Sequence, residues 1–216
     1  METDFIFDPS LVLYLPLWKL DGVKIKSGDA YGHLCTVTGA MWTPSGLKFD
    51  GGDDEINCGT PVAIFSSNGT WEIWVKPITA ADQYLMSCDP AGSTAGDAAC
   101  MVSAATSKFR FWLNDGATEP SIYSNSAIDG TSFYHLMMFF GNAGLAMQVN
   151  GVMQADTNAS LVGGTVANQS MMVGAYRPGR GTGAVNGIVG EARIYNRRLT
   201  PSEGLHNYLA TKWRYR

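Results

Sequence analysis

Charge is scarce in this chain: Asp, Glu, Lys and Arg make up 16% of it, and the net charge is −4. Nucleic-acid binding is driven by clustered Lys and Arg against phosphate, so this deficit argues against such a partner. The one basic run, Arg193 to Arg198 with the tail Lys212 to Arg216, reads as a solvated strand end plus cations near a helix C-terminus. Long apolar runs are missing too. Leu11 to Trp18 is broken by Pro16 and is far too short to cross a bilayer. Met1-Glu2-Thr3-Asp4 is acidic where a signal peptide opens with positive charge. The expectation is a protein with no membrane partner and no export signal. There is no C-x-x-C metal spacing and no G-x-S-x-G nucleophile turn. Strand-borne E-x-D-x-E is also absent.

What is present is β patterning with many turns. Glycine is abundant, at 25 residues, which suits an all-β fold. Trp71, Ile73 and Val75 alternate with Glu72, Trp74 and Lys76; Phe109, Phe111 and Leu113 alternate with Arg110, Trp112 and Asn114. Phe133 to Phe140 is apolar throughout and reads as a strand covered on both faces. Leu145 to Met153 reads as a hairpin around Asn150-Gly151, a pair that tolerates positive φ. Only residues 200–214 carry a helical pattern. Thr200-Pro201-Ser202-Glu203 forms a capping box with proline at the first helical position. Leu205, Leu209 and Trp213 fall on one stripe, expected to pack against the strands. Regular short strands with one terminal helix predict a single two-sheet domain, with its core over about 11–199.

Four segments resemble one family in the same order. Phe49-Asp50-Gly51-Gly52-Asp53-Asp54-Glu55-Ile56 resembles F-D-G-x-D-D-Y-I, and Thr70 to Pro77 resembles F-T-V-S-x-W-V-K-P. Tyr134-His135-Leu136 followed by Leu145 to Gly151 resembles W-H-H-V-A…L-Y-V-D-G. Gly187 to Glu203 resembles the closing G-x-I-D-E-V-R-I-Y-N-R-A-L-S-x-x-E. The chain thus resembles the laminin-G-like, concanavalin-A-like jelly rolls. The resemblance implies an all-β, two-sheet antiparallel jelly-roll β-sandwich with one short C-terminal helix. Two positions depart from it: Gly190 stands where the family has Asp, and Glu55 where it has Tyr.

Several relatives of this fold bind calcium, so Asp53 and Asp54 in the Gly-rich turn are the candidate ligands for Ca²⁺. The competing reading is that Asp and Gly are simply good turn formers there. Glycosidases share the fold, but glycoside hydrolysis generally uses two carboxyl groups about 5–10 Å apart. Glu72 and Glu191 are the best strand carboxylates, and neither has an acid two positions away. His33, His135 and His206 are scattered. Cys88 and Cys100 flank a Gly- and Ala-rich loop and are either a hairpin disulfide or buried thiols.

Sugar recognition on a β-sandwich needs an aromatic platform with convergent polar groups. Trp112 alternates with polar neighbours and is the expected exposed platform, with Arg110 beside it. Tyr176, Arg177 and Arg180 lie in or next to a glycine-rich loop, and Glu191, Arg193 and Tyr195 alternate onto one polar strand face. The expected function is a non-catalytic recognition domain for glycan or a protein surface. The alternatives are a structural or assembly protein, which would be a homo-oligomer, and a glycan-active enzyme. A stand-alone module without an export signal fits a virion decoration or attachment protein, released by lysis.

Overall fold

A computed structural model describes residues 5–19, 22–60, 68–78, 81–88, 95–115, 118–159, 170–179 and 183–216. The chain folds through β1 (Leu11–Leu15), β2 (Lys24–Lys26), β3 (Leu34–Thr38), β4 (Met41–Thr43), β5 (Gly46–Asp50) and β6 (Glu55–Asn57). It continues with β7 (Gly69–Pro77), β8 (Gln83–Cys88), β9 (Ala95–Ser103), β10 (Lys108–Asp115) and β11 (Ser121–Tyr123). Then come β12 (Tyr134–Phe140), β13 (Ala146–Val149), β14 (Val152–Met153), β15 (Met171–Val173) and β16 (Asn186–Tyr195), followed by α1 (Pro201–Thr211). These make two 8-stranded antiparallel sheets. The first runs β14-β13-β12-β7-β16-β5-β4, with β1 also on β16; the second runs β11-β10-β9-β8-β15-β6-β3-β2.

Alternation sets what faces the core. Trp71, Ile73 and Val75 of the first sheet and Phe109, Phe111 and Leu113 of the second are buried in the main cluster between the sheets. Trp71 lies 6.0 Å from Phe111, ring centre to ring centre. Asn150 and Gly151 both take positive φ, +51° and +76°, at the tip of the β13–β14 hairpin, the geometry a tight hairpin needs. Cys35, Cys58, Cys88 and Cys100 are all buried thiols. The hairpin disulfide does not form, because Cys88 pairs with Ala98 and Cys100 with Met86, so the two are offset across β8 and β9.

The terminal helix begins as the sequence indicates. Thr200 caps Glu203, the reciprocal bond from Glu203 is present, and Pro201 is at the helix start. Its orientation is the reverse of the expected one. Leu205, Leu209 and Trp213 are exposed, at 42%, 49% and 57%, whereas Gly204, Asn207 and Thr211 are buried. The reason lies in the sheet beneath, which offers hydrogen-bonding groups. Asn207 Nδ2 donates to Glu72 Oε2 at 2.8 Å, Trp74 Nε1 donates to Thr211 Oγ1 at 2.9 Å, and Gln148 Nε2 donates to the Pro201 carbonyl at 2.8 Å. A leucine face there would leave those buried groups unsatisfied, at a cost of about 1–3 kcal/mol each.

The Gly190 departure also has a structural cause. Register slips between Val189 and Glu191 on β7, so Gly190 sits in a bulge. A Cβ there would stand 2.3 Å from the Tyr215 ring, and that ring is stacked on Trp74 with centres 4.5 Å apart. Among the described residues, no helix is long and apolar enough to cross a membrane.

Candidate functional site on the outer face of the second sheet

The sandwich has two outer faces, and they differ. The first sheet's is closed by α1 and by the segment around Phe5 and Ile6, which pack on Met137, Phe139 and Tyr195. Glu191, Arg193 and Tyr195, expected as an open polar face, all point under this cover. Arg193 is fully buried, and Glu72 and Glu191 are each 1% exposed. The Glu72 carboxylate accepts from Arg193 Nη1, from His135 Nε2 at 2.8 Å and from Asn207. Arg193 Nη2 lies 2.8 Å from Glu191 Oε2, and Arg214 Nη1 approaches the same oxygen at 3.4 Å.

Burial by itself would raise the Glu72 pKa, but the Arg193 charge and the His135 and Asn207 hydrogen bonds outweigh it and hold the group at about 2. Burial likewise opposes the Arg193 charge, and the two carboxylates overcome it, pushing its pKa up. The two acids share one guanidinium and are sealed from solvent. As placed they are not a pair flanking a bond of a bound sugar.

The second sheet's outer face carries the remaining candidates. Arg110 pairs with Met101 and Trp112 with Ala99; Tyr84 pairs with Met101 from the other side, and Tyr123 pairs with Arg110. Side chains in register share a face, so Tyr84, Arg110, Trp112 and Tyr123 stand together. The chain after β15 returns over the same face. Ser87 Oγ is 2.7 Å from both the Ala175 and Tyr176 carbonyls, and the Gly179 N–H donates to Glu55 Oε2 at 2.8 Å. These contacts lay Tyr176 on Tyr84, with ring centres 4.2 Å apart and planes at 26°.

Two guanidiniums border the rings. Arg177 lies 4.8 Å over Tyr176. Arg110 lies 6.0 Å from both Trp112 and Tyr123 and pairs with Glu119 at 2.7 Å. Trp112 itself is not the exposed platform that its neighbours in sequence implied. It is 5% exposed, clustered with Ala99 and Met101 and covered by Tyr84 and Tyr176. The partly accessible aromatic surface on this face is Tyr84, Tyr176 and Tyr123, with Trp112 beneath the Tyr84–Tyr176 pair. Arg180 lies outside the described residues.

Tyr84 was missed from the sequence. Its signal was weak, because a bulge between Tyr84 and Met86 breaks the alternation of β8.

Asp53 and Asp54, at the turn between β5 and β6, differ in exposure, and burial first, then the nearby Asp50 and Asp53 charges, push the Asp54 pKa up. Asp54 is buried, and its Oδ2 accepts the Asp50 N–H at 2.8 Å, while Asp53 faces solvent. Among the described residues no three His, Cys, Asp or Glu side chains are grouped to hold a metal. The turn as folded does not fit a calcium site, which draws on six to eight oxygens.

Comparisons with known proteins agree with this architecture. A family model described as the concanavalin A-like lectin/glucanases superfamily matches residues 50–203. No curated protein sequence matches the chain. Among solved structures, Trypanosoma rangeli sialidase aligns with a TM-score of 0.72 at 20% identity, over 96% of this chain and 34% of the sialidase. This chain thus spans about a third of that enzyme's length. Domain 4 of AbnA, a GH43 extracellular arabinanase from Geobacillus stearothermophilus, solved with arabinotriose, aligns with a TM-score of 0.68 at 19% identity, over 92% of this chain and 98% of that domain. The binding domain of Paraclostridial Mosquitocidal Protein 1 aligns with a TM-score of 0.70 at 14% identity, over 94% of this chain and 52% of the other.

Proposed function

We propose glycan recognition, without catalysis, as the function of this chain, which belongs to the concanavalin A-like lectin/glucanases superfamily. The observation that carries the reading is the Tyr84–Tyr176 stack with Arg177 over Tyr176, on a face that also holds Arg110 beside Trp112 and Tyr123. The half-buried rings of Tyr84 and Tyr176 offer apolar contact to the C–H groups of a sugar. Planar guanidiniums at their border donate hydrogen bonds in fixed directions to hydroxyl or carboxylate oxygens. The opposite outer face is covered by α1 and the segment around Phe5 and Ile6. Supporting the reading, the arabinanase domain that matches nearly end to end was solved with arabinotriose. A catalytic role finds no comparable support, because Glu72 and Glu191 are buried and share the Arg193 charge.

The test is a thermal-shift and calorimetric panel of neutral and acidic oligosaccharides, arabinotriose included. At least one glycan raises the melting temperature, since a ligand that binds only the folded state stabilises it. Tyr176→Ala weakens that glycan by about tenfold, the loss of ~1.4 kcal/mol of stacking and burial, measured at a temperature where the variant, which also loses the Tyr84 stack, remains folded. A panel with no binder, or a binder indifferent to Tyr176→Ala, refutes the assignment.

A further inference from the structure

We propose that Cys35 and Cys58 are a disulfide site: two thiols held opposite one another on neighbouring strands, which a small-molecule disulfide of the glutathione class oxidises to a cross-strand bond. The register sets the pair. Thr38, Val37 and Thr36 of β3 face Glu55, Ile56 and Asn57 of β6 in turn, so the next step along the ladder sets Cys35 against Cys58. Both side chains lie in the core between the sheets, 0% and 3% exposed. Their backbone groups point away from one another. The Cys58 N–H donates to the Met171 carbonyl on β15 at 2.9 Å. On β3, the His33 carbonyl accepts from Ser27 at 2.9 Å and the Val37 N–H donates to the Val23 carbonyl at 2.8 Å. Backbone direction repeats every second residue, so Cys35 also turns its N–H and carbonyl toward β2. Cys35 and Cys58 thus form a non-hydrogen-bonded pair, in which Cα atoms approach to about 4.5 Å, within the roughly 4.4–6.8 Å that a disulfide spans. The thiols meet: hydrogen bonding to Cys35, ahead of burial, pushes the Cys58 pKa well up.

The other two cysteines are placed differently. Cys88 faces Ala98 and Cys100 faces Met86, a diagonal offset of roughly 7 Å where a disulfide needs Cβ atoms about 3.5–4.5 Å apart. β15 lies between β8 and β6, which keeps Cys88 from Cys58. The oxidation balances between the two thiols and the oxidant. One cysteine thiolate attacks a sulfur of glutathione disulfide and releases one glutathione. The other attacks the mixed disulfide and releases the second. Two electrons pass from the cysteines to the glutathione disulfide, and the two cysteine protons end on the two glutathione thiols. Burial slows this in the closed fold, because the thiolate is the attacking form. β3 is covered at the sheet edge by β2 alone, a strand of 3 residues, so the exchange runs when that edge opens or before it closes during folding.

Refolding the full chain from denaturant in a buffer of reduced and oxidised glutathione tests this, read by thiol counting, non-reducing peptide mapping and thermal melting. The map shows Cys35 linked to Cys58, with Cys88 and Cys100 left as thiols. The link closes a loop of about 24 residues, which lowers the unfolding constant roughly 300-fold and raises the melting temperature by about 10 °C. Dithiothreitol reverses the rise. Cys88→Ala/Cys100→Ala, which keeps only the proposed pair, links to the same extent. Four free thiols at equilibrium in that buffer, a link between Cys88 and Cys100 instead, or a Cys35–Cys58 link that leaves the melting temperature unchanged overturns the proposal.

Discussion

Arg193→Met removes the one cation that two buried carboxylates share, and its consequences can be worked out with their sign. In the native protein Glu72 has a pKa of about 2 against an ordinary 4.5. A depressed carboxylate stabilises the fold above its unfolded pKa and loses that contribution as pH falls through its folded one. The difference corresponds to ~3 kcal/mol at neutral pH, lost between about pH 4.5 and pH 2. Methionine in place of Arg193 keeps the volume beneath Phe5, whose ring the guanidinium faces at 3.9 Å. It leaves Glu72 with only His135 and Asn207, and Glu191 with Arg214 at 3.4 Å. Breaking a buried pair by removing one partner costs about 3–5 kcal/mol at neutral pH.

The pH dependence then changes sign. Without Arg193, burial dominates Glu72 and raises its folded pKa above the unfolded value. The variant therefore gains stability as pH falls from 7 through that raised pKa, over a range where this group changes nothing in the native protein. Urea denaturation followed by tryptophan fluorescence, at a series of pH values from 7 to about 4, measures both effects. A loss under about 1 kcal/mol at pH 7, with a pH profile parallel to that of the native protein, would refute the reasoning. Glu72→Gln in the Arg193→Met background should recover part of the loss, since it removes one uncompensated charge.

Three further outcomes follow from individual residues. Gly190→Ala drives a methyl into the Tyr215 ring, which Trp74 holds in place, and should cost about 1–3 kcal/mol in thermal or urea denaturation; an unchanged midpoint would contradict the packing. Thr200→Ala removes the cap that accepts the Glu203 N–H at 3.2 Å and should cost about 1 kcal/mol in the same assay. Excess calcium or EDTA should move the melting temperature by less than about 1 °C, because Asp54 already accepts the Asp50 N–H; a larger, saturable shift would place a cation in the turn.

Local signals carried the fold. Alternation in Thr70 to Pro77 and Lys108 to Asn114, the Asn150-Gly151 turn and the Thr200–Glu203 capping box all depend on neighbours a few residues apart. What failed depends on distant ones. Leu205, Leu209 and Trp213 form a clear stripe, but which side of a helix is buried depends on the surface it meets. That surface was polar because Glu72 and Arg193, far apart in sequence, meet in register on β7 and β16.

The site was legible in the same partial way. Arg110, Trp112, Tyr176 and Arg177 do come together on one face. Tyr84, which completes the stack, is hidden by a bulge. The depth of Trp112 is set by two residues outside its own strand.

Glycan recognition on the second sheet is tested most directly by following the six tryptophan indole N–H signals, together with the backbone amides, in a ¹H–¹⁵N titration with a glycan that stabilises the protein. The account predicts that the Trp112 indole and the amides of β8, β9, β10 and residues 174–179 shift together, while Trp71 and Trp74 stay fixed. Shifts centred on Trp74 or Trp213, with Trp112 and its strands unmoved, would contradict it.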